Sequence, residues 1–368
     1  MPRDVSDRRL RLLETQRDFI EGELEHQRLP FEGDITSRLS KKIEESLNEA
    51  GRRYQHYLDL THQNAPKHLK ENQYERYVRQ LDFAQGYLDS IEKTISYVQL
   101  FHEQNKESSG SLDHGRQLFT ELANDVGIDV EIIPIKWDGY TLLPIIEAEL
   151  YVLWLPRERN YQRHAPMIGH ELGHAVLDHM DQTPTQEFRD RLEEFIEPFP
   201  DERRDQVFYA WNQWFDELFC DGMGFFCFGP AYALSAIEQF QHTDPYFFPD
   251  QIGPNTEFHP PDALRFRFIN ELSRRWLPES MYQNTLSYRR EFEQHLELRS
   301  NEKPAFYDRW IDDELLSIIV SDAEHRGPQL QLLIEALSNE SLEQVVSSHR
   351  HRMASNEYWV DEVQNGGY

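Results

Sequence analysis

Apolar residues recur at intervals of three and four along most of this chain, and they switch to short, nearly continuous apolar runs only between about residues 129 and 155. Residues 6–28 and 36–63 are charged and helical in pattern, with Pro30 and Gly33 between them. Across residues 67–104, Tyr74, Tyr77, Val78, Leu81, Ala84, Tyr87, Leu88, Ile91, Ile95 and Val98 mark a helix with one buried stripe, while Phe83, Leu100 and Phe101 fall at its margin or off it. That stripe is expected to pack within the chain, with a homo-oligomer or protein partner on the N-terminal helices as the alternative. Residues 107–112 read as a linker and 115–126 as a short helix. Residues 129–135, 140–146 and 150–155 read as strands, the first two joined as a hairpin by the turn at 137–140. Helices resume beyond Pro278, at about 281–298, 304–325 and 328–350.

The order of elements predicts a mostly helical α+β protein with three parts: a helical N-terminal region at 1–108, a core with a small sheet at 109–278, and a helical C-terminal region at 279–368. The longest apolar stretch, 142–155, is interrupted by Glu147 and Glu149 and falls short of the roughly twenty residues a membrane helix needs. The first residues are polar and carry no signal-peptide core, so a cytoplasmic location is expected. Cys220 and Cys227 are the two cysteines. Seven residues apart on a helix, their Cα atoms would lie about 10 Å from each other, too far to bridge, so they read as buried thiols.

Charge narrows the partners. The formal net charge of −28 repels nucleic-acid phosphates and anionic membranes, so neither is expected as a partner. Only eight of the 38 basic residues are lysine, a balance seen in salt-adapted proteins and equally compatible with an ordinary acidic one.

Residues His170, Glu171, Leu172, Gly173 and His174 spell HExxH. On a helix, residues four apart share a face, so both imidazoles can reach one Zn²⁺ while Glu171 leans toward a water at that ion. The flanks Met167, Ile168, Leu172, Ala175, Val176 and Leu177 bury this helix, and two histidines and a glutamate are costly to bury without something to coordinate or neutralise them. Gly173 leaves room for a close neighbour.

The elongated motif with a third histidine would need glycine at 177 and histidine at 180, where this chain has Leu177 and Met180. His179 is half a turn out of phase and suits a helix end. A carboxylate from a second helix remains as third ligand. Glu193 and Glu194 lie on a charged segment stopped by Pro198 and Pro200, which reads as a solvated face. Glu217 is the stronger candidate, because it and Asp221 lie four apart among Trp214, Phe215, Leu218, Phe219, Met223, Phe225 and Phe226. One carboxylate can bind the metal while the other accepts the free N–H of a ligating histidine. Asp216 is the fallback ligand. Farther on, His259-Pro-Pro and Arg265 supply cationic donors suited to a developing oxyanion, and Tyr232, Tyr282 and Arg267 are further candidates that sequence does not rank.

HExxH, then ExxxD followed by Gly222, then His-Pro-Pro with an arginine six residues after the histidine, occur in the order found in gluzincin metallopeptidases. The chain thus resembles the CAAX prenyl proteases and the bacterial heat-shock membrane metallopeptidases over about residues 150–275. The resemblance implies His170, His174 and Glu217 as zinc ligands, Glu171 as general base and acid, Asp221 as the support of a ligand, and His259 as a transition-state donor. It departs from that family in having no membrane helices, so their substrate class is not carried over. The expected activity is hydrolysis of a peptide or protein substrate. The alternatives are a binding or sensing module around a structural zinc, and a protease latent until a stress or defence signal.

Overall fold

The stretches of helical period form helices and the one change of period forms a sheet, in a computed structural model that describes residues 9–16, 35–63, 65–107, 111–137, 139–145, 150–156, 165–180, 184–241, 243–249, 251–254, 256, 258–277 and 279–326. Most of the expected helix at 6–28, the middle of the expected linker at 107–112 and the expected helix at 328–350 lie outside the described residues. The protein is mostly helical with a three-stranded sheet, the α+β class that the pattern predicts. In chain order the elements are α1 (9–16), α2 (Ile35–His62), α3 (Lys67–Glu107), α4 (Ser111–Asp125), β1 (Glu131–Trp137), β2 (Thr141–Ile145) and β3 (Leu150–Pro156). After them come α5 (Ile168–Asp178), α6 (Gln186–Ile196), α7 (Asp201–Phe228), α8 (Pro230–Phe240), α9 (Asp262–Trp276), α10 (Glu279–Asn284), α11 (Leu286–Leu298), α12 (Tyr307–Trp310) and α13 (Asp313–Arg326). Among the described residues, no helix is long and apolar enough to cross a membrane.

The chain divides into two compact units: Met1–Arg116 with Val130–Lys136 and Leu143–Trp154, and Gln117–Asp129 with Trp137–Leu142 and Leu155–Tyr368. Most of the sheet therefore groups with the N-terminal helices, and the HExxH helix groups with the C-terminal ones. In the first unit, α2 and α3 form a helical hairpin. Of the α3 stripe, Tyr77, Leu81, Ala84, Leu88, Ile95 and Val98 are buried and Tyr74, Val78 and Tyr87 half-buried, and it extends to the buried Phe101, which continues the spacing from Thr94 and Val98. Phe83, off the stripe, is exposed. Tyr54 of α2 meets Tyr77 of α3 with ring centroids 4.9 Å apart.

The sheet order is β1-β3-β2, which corrects the expected β1–β2 hairpin. Proline explains the difference: β1 carries Pro134 and β2 carries Pro144, and a residue without an N–H is tolerated at a sheet edge but not in its centre. In β3 the one proline, Pro156, is the last residue of the strand, and β3 takes the middle position. The outer edge of β1 is served by Gln104 of α3, whose side-chain amide donates to the Lys136 carbonyl and accepts from the Lys136 N–H at 3.1 and 2.7 Å. It thus stands in for a neighbouring strand.

In the second unit α7 is the axis. Its 28 residues make a rod about 42 Å long, begun after Pro200, and every residue from Leu218 to Phe228 is buried. Helices α5, α9 and α13 pack on it. Asp312, just ahead of α13, is bound by Arg191 of α6 through two hydrogen bonds. Gly229, with φ of 56°, lets the chain reverse after α7 so that α8 returns alongside it.

The tightest packing is between α5 and α7. A Cβ at Gly169 would lie 2.9 Å from the Gly224 Cα, and one at Gly173 would lie 2.6 Å from the Cys220 Cα. The helices are therefore nearly in backbone contact along one turn, antiparallel, and neither glycine can accept a side chain without moving a helix. Gly173→Ala is expected to lower stability by about 1–3 kcal/mol, read from the midpoint of urea unfolding. An unchanged midpoint would show that the two helices separate freely.

Candidate metal centre

The antiparallel register that pairs Gly169 with Gly224 and Gly173 with Cys220 also sets His170 opposite Asp221 and His174 opposite Glu217. Nε2 of His170 is 3.4 Å from Glu217 Oε2, and Nε2 of His174 is 3.8 Å from Glu217 Oε1. His259, in the loop ahead of α9, places Nδ1 2.8 Å from Glu217 Oε2. Two imidazoles from one turn of α5 and a third from a distant loop thus surround one carboxylate. His170 and Glu217 are largely covered, whereas the side chain of His174 is 32% exposed and that of His259 is 69% exposed, so the cluster opens to solvent on that side.

Behind the cluster lies a buried relay. Asp221 Oδ1 is 2.9 Å from His170 Nδ1 and receives the Tyr232 hydroxyl at 2.5 Å. Arg265 donates Nε to Asp221 Oδ2 at 2.8 Å and Nη2 to Oδ1 at 2.6 Å. Its guanidinium also stacks on Phe240. Tyr232 reaches Asp221 because Gly224 has no side chain: a Cβ there would lie 2.3 Å from the tyrosine ring.

The electrostatics follow from burial and these partners. Burial alone would lower His170, but the Asp221 and Glu217 carboxylates beside its two ring nitrogens outweigh that and raise its pKa from 6.5 to about 10. Burial and the neighbouring charge of His170 push His174 down to about 4. Burial would raise both acids of α7; instead His170 and His259 hold Glu217 well below the usual carboxylate range, and Arg265 takes Asp221 down to about 2. Glu171 has no such partner. Burial pushes it up to about 7, with His170 and the Leu142 main-chain N–H pulling the other way.

A divalent cation fits this donor set. Glu217 Oε2 is buried, and no donor among the described residues is aimed at it with hydrogen-bonding geometry, despite the nearby ring nitrogens. With His170 and His174 neutral, as metal ligands must be, Glu217 and Asp221 face one guanidinium with Glu171 beside them, an arrangement that a cation would balance. Sequence reasoning missed one further potential ligand: His170, His174 and Cys220 have ligand atoms within 4.8 Å of one another. The signal was present, since Cys220 is three residues after Glu217 on the same helix face and opposite Gly173. Burial, followed by the charges of Glu217 and Asp216, raises its thiol well above the ordinary range.

The remaining candidates are placed elsewhere or differently. Arg265 is not a free oxyanion donor, because two of its donors are engaged by Asp221; it is the counter-ion of the relay. Tyr232 is also behind the cluster. Arg267 pairs with Asp313, and Tyr282 lies under the guanidinium of Arg289. Asp216 sits near Glu217 and Asp178, and burial raises it to about 6. His179 caps its own helix through the Ala175 carbonyl, and Glu193 and Glu194 are exposed. No protein-family model, curated protein or solved structure matches this chain.

Arg265→Leu removes the guanidinium counter-ion of the buried Asp221, leaving it only Tyr232 and His170, and is expected to cost about 3–5 kcal/mol in urea unfolding. The double variant with Asp221→Asn should recover part of that loss. If the double variant loses as much as the two single ones combined, the two residues are not coupled.

Proposed function

We propose that this protein is a zinc-dependent metallopeptidase of gluzincin type, in which His170, His174 and Glu217 hold the metal and Glu171 serves as general base. The observation that carries the reading is the position of Glu217, whose two oxygens meet the Nε2 atoms of both motif histidines although it lies more than forty residues away in sequence. Two imidazoles, one carboxylate and an exposed side form the donor set of a hydrolytic zinc site.

When bound, zinc supplies Lewis acidity that polarises a carbonyl and lowers the pKa of water. Asp221 fixes the tautomer of His170 by accepting from Nδ1, which leaves Nε2 as the ligating nitrogen. Among the described residues Glu171 is the buried acid of the cluster that has no ion-pair partner, and a pKa near 7 suits a group that must take a proton from water and return it to a leaving amine. His259 directs Nδ1 to Glu217, so in its imidazolium form Nε2–H is left free to donate to an oxyanion from the exposed side. The Leu142 main-chain N–H next to Glu171 belongs to β2, an edge strand, which favours an extended peptide as substrate. Free, buried cysteines support a reducing compartment, here the cytoplasm.

Cys220 favours a second reading. With His170, His174 and Glu217 it would complete four protein ligands, the closed arrangement of a structural zinc in a binding or sensing module.

Glu171→Gln is expected to keep about one zinc per chain in elemental analysis and to lose hydrolysis of a casein substrate by at least about a thousandfold. Glu217→Ala should lose zinc affinity by about ten- to a hundredfold or more in chelator competition. Cys220→Ser separates the two readings: retained zinc and hydrolysis support the peptidase, and loss of zinc supports the closed site.

A further inference from the structure

A groove of about 600 Å³ begins at His259 and runs between the end of α8 and the start of α9. His259 belongs both to this groove and to the cluster around Glu217, so a side chain lying in the groove would come from a residue close to the bond being cut. We propose that this groove is the specificity subsite of the peptidase and takes a lysine or arginine side chain of the substrate, an inference that rests on the hydrolytic reading.

The walls suit the stem of such a side chain. Phe247 and Phe258 both line the groove, and Phe247 is 56% exposed, a large ring left to solvent beside the candidate catalytic residues. Aromatic faces accept the methylene stem of lysine or arginine and attract its cationic head.

The charge selects a basic head over an apolar or acidic one. Asp244 and Asp262 line the same groove, and neither is in an ion pair with a described residue within 4 Å. Asp262 receives the Thr243 hydroxyl, and Asp244 receives the Tyr246 N–H. Among the described residues the cations at the groove are engaged: Arg265, which also lines it, is held by Asp221, His259 places Nδ1 on Glu217, and Arg299 is held by Glu302 and the Thr243 carbonyl. Asp262 has a local use in the first turn of α9, and Asp244 has one in its own turn. Those uses account for each acid singly. They do not account for two carboxylates, neither in an ion pair with a described residue, sharing one groove with the exposed Phe247, the half-buried Phe258 and His259. Burial also raises the Asp262 carboxyl above its ordinary range, a penalty that a bound cation relieves. A glutamate side chain would meet two like charges there, and a leucine would leave both carboxylates facing an apolar group.

The test uses fluorescein-labelled, end-blocked pentapeptides that differ only in a central lysine, arginine, leucine or glutamate. Binding is followed by fluorescence polarisation to the zinc-loaded Glu171→Gln protein, and hydrolysis is followed with the wild type. Lysine and arginine peptides are expected to bind on the order of tenfold more tightly than the leucine and glutamate peptides. Asp244→Asn and Asp262→Asn should each reduce that ratio several-fold, and Asp244→Lys should turn the preference toward glutamate. Asp244 is exposed, so its variants carry the test if Asp262→Asn fails to fold by circular dichroism. Equal binding of all four peptides, or a preference unchanged by both asparagine variants, overturns the inference. A basic preference in binding without cleavage by the wild type leaves the subsite standing and removes the peptidase reading. Cleavage without preference does the reverse, and absence of both binding and cleavage removes both.

Discussion

Near-contact between the backbones of α5 and α7 is the constraint from which the rest of the site follows. Gly169 and Gly173 lie one turn apart on α5, and Cys220 and Gly224 lie one turn apart on α7, so the helices meet along a ridge of minimal side chains. At that separation a histidine and a carboxylate projecting from facing helices need no long reach, and four short polar side chains can converge. A bulkier residue on the ridge would widen the gap by an amount comparable to the distances between His170, His174 and Glu217. The glycines therefore act on the chemistry through distance alone.

The same closeness creates an electrostatic debt. Three acids and two imidazoles are withdrawn from water on helices otherwise built of Trp, Phe, Leu and Met, and burial disfavours every charged form among them. The fold settles the debt in layers. Arg265 and Tyr232 satisfy Asp221, Asp221 satisfies one face of His170, and His170 with His259 satisfies Glu217 in part. Glu171 is outside this chain of partners and holds its proton to a higher pH. Two acids within one cluster are thus driven in opposite directions, Glu217 down and Glu171 up, a separation that allows one to hold a cation and the other to move a proton. Cys220 adds a soft ligand at the back of the same space, which makes coordination number the property on which catalysis and a purely structural role diverge.

Much of this arrangement could be read from residue spacing. The helical stripe of α3, the sheet ahead of HExxH and the pairing of Glu217 with Asp221 on one face each follow from periods of 3.6 or 2. The sheet order was legible too, though through a different signal: Pro134 and Pro144 bar β1 and β2 from the centre, whereas the short connection between them suggested direct pairing. Spacing was less informative for residues whose role depends on what lies across from them. Arg265 has the right offset from His259 to serve as an oxyanion donor, but the fold turns it onto Asp221. Tyr232 carries no motif at all, and it joins the relay because Gly229 reverses the chain and Gly224 makes room for its ring.

Within its own elements, then, the amino-acid sequence determined which faces are buried, where helices begin and end, and which ligand types stand four residues apart, because those are properties of a single periodic backbone. Tertiary structure alone decided which of several acids meets the imidazoles, which cation neutralises which anion, and that a cysteine shares the metal-sized space. Those outcomes depend on the register and separation of two packed helices. Register is a sum over many small contacts distributed along both helices, and no local pattern encodes it.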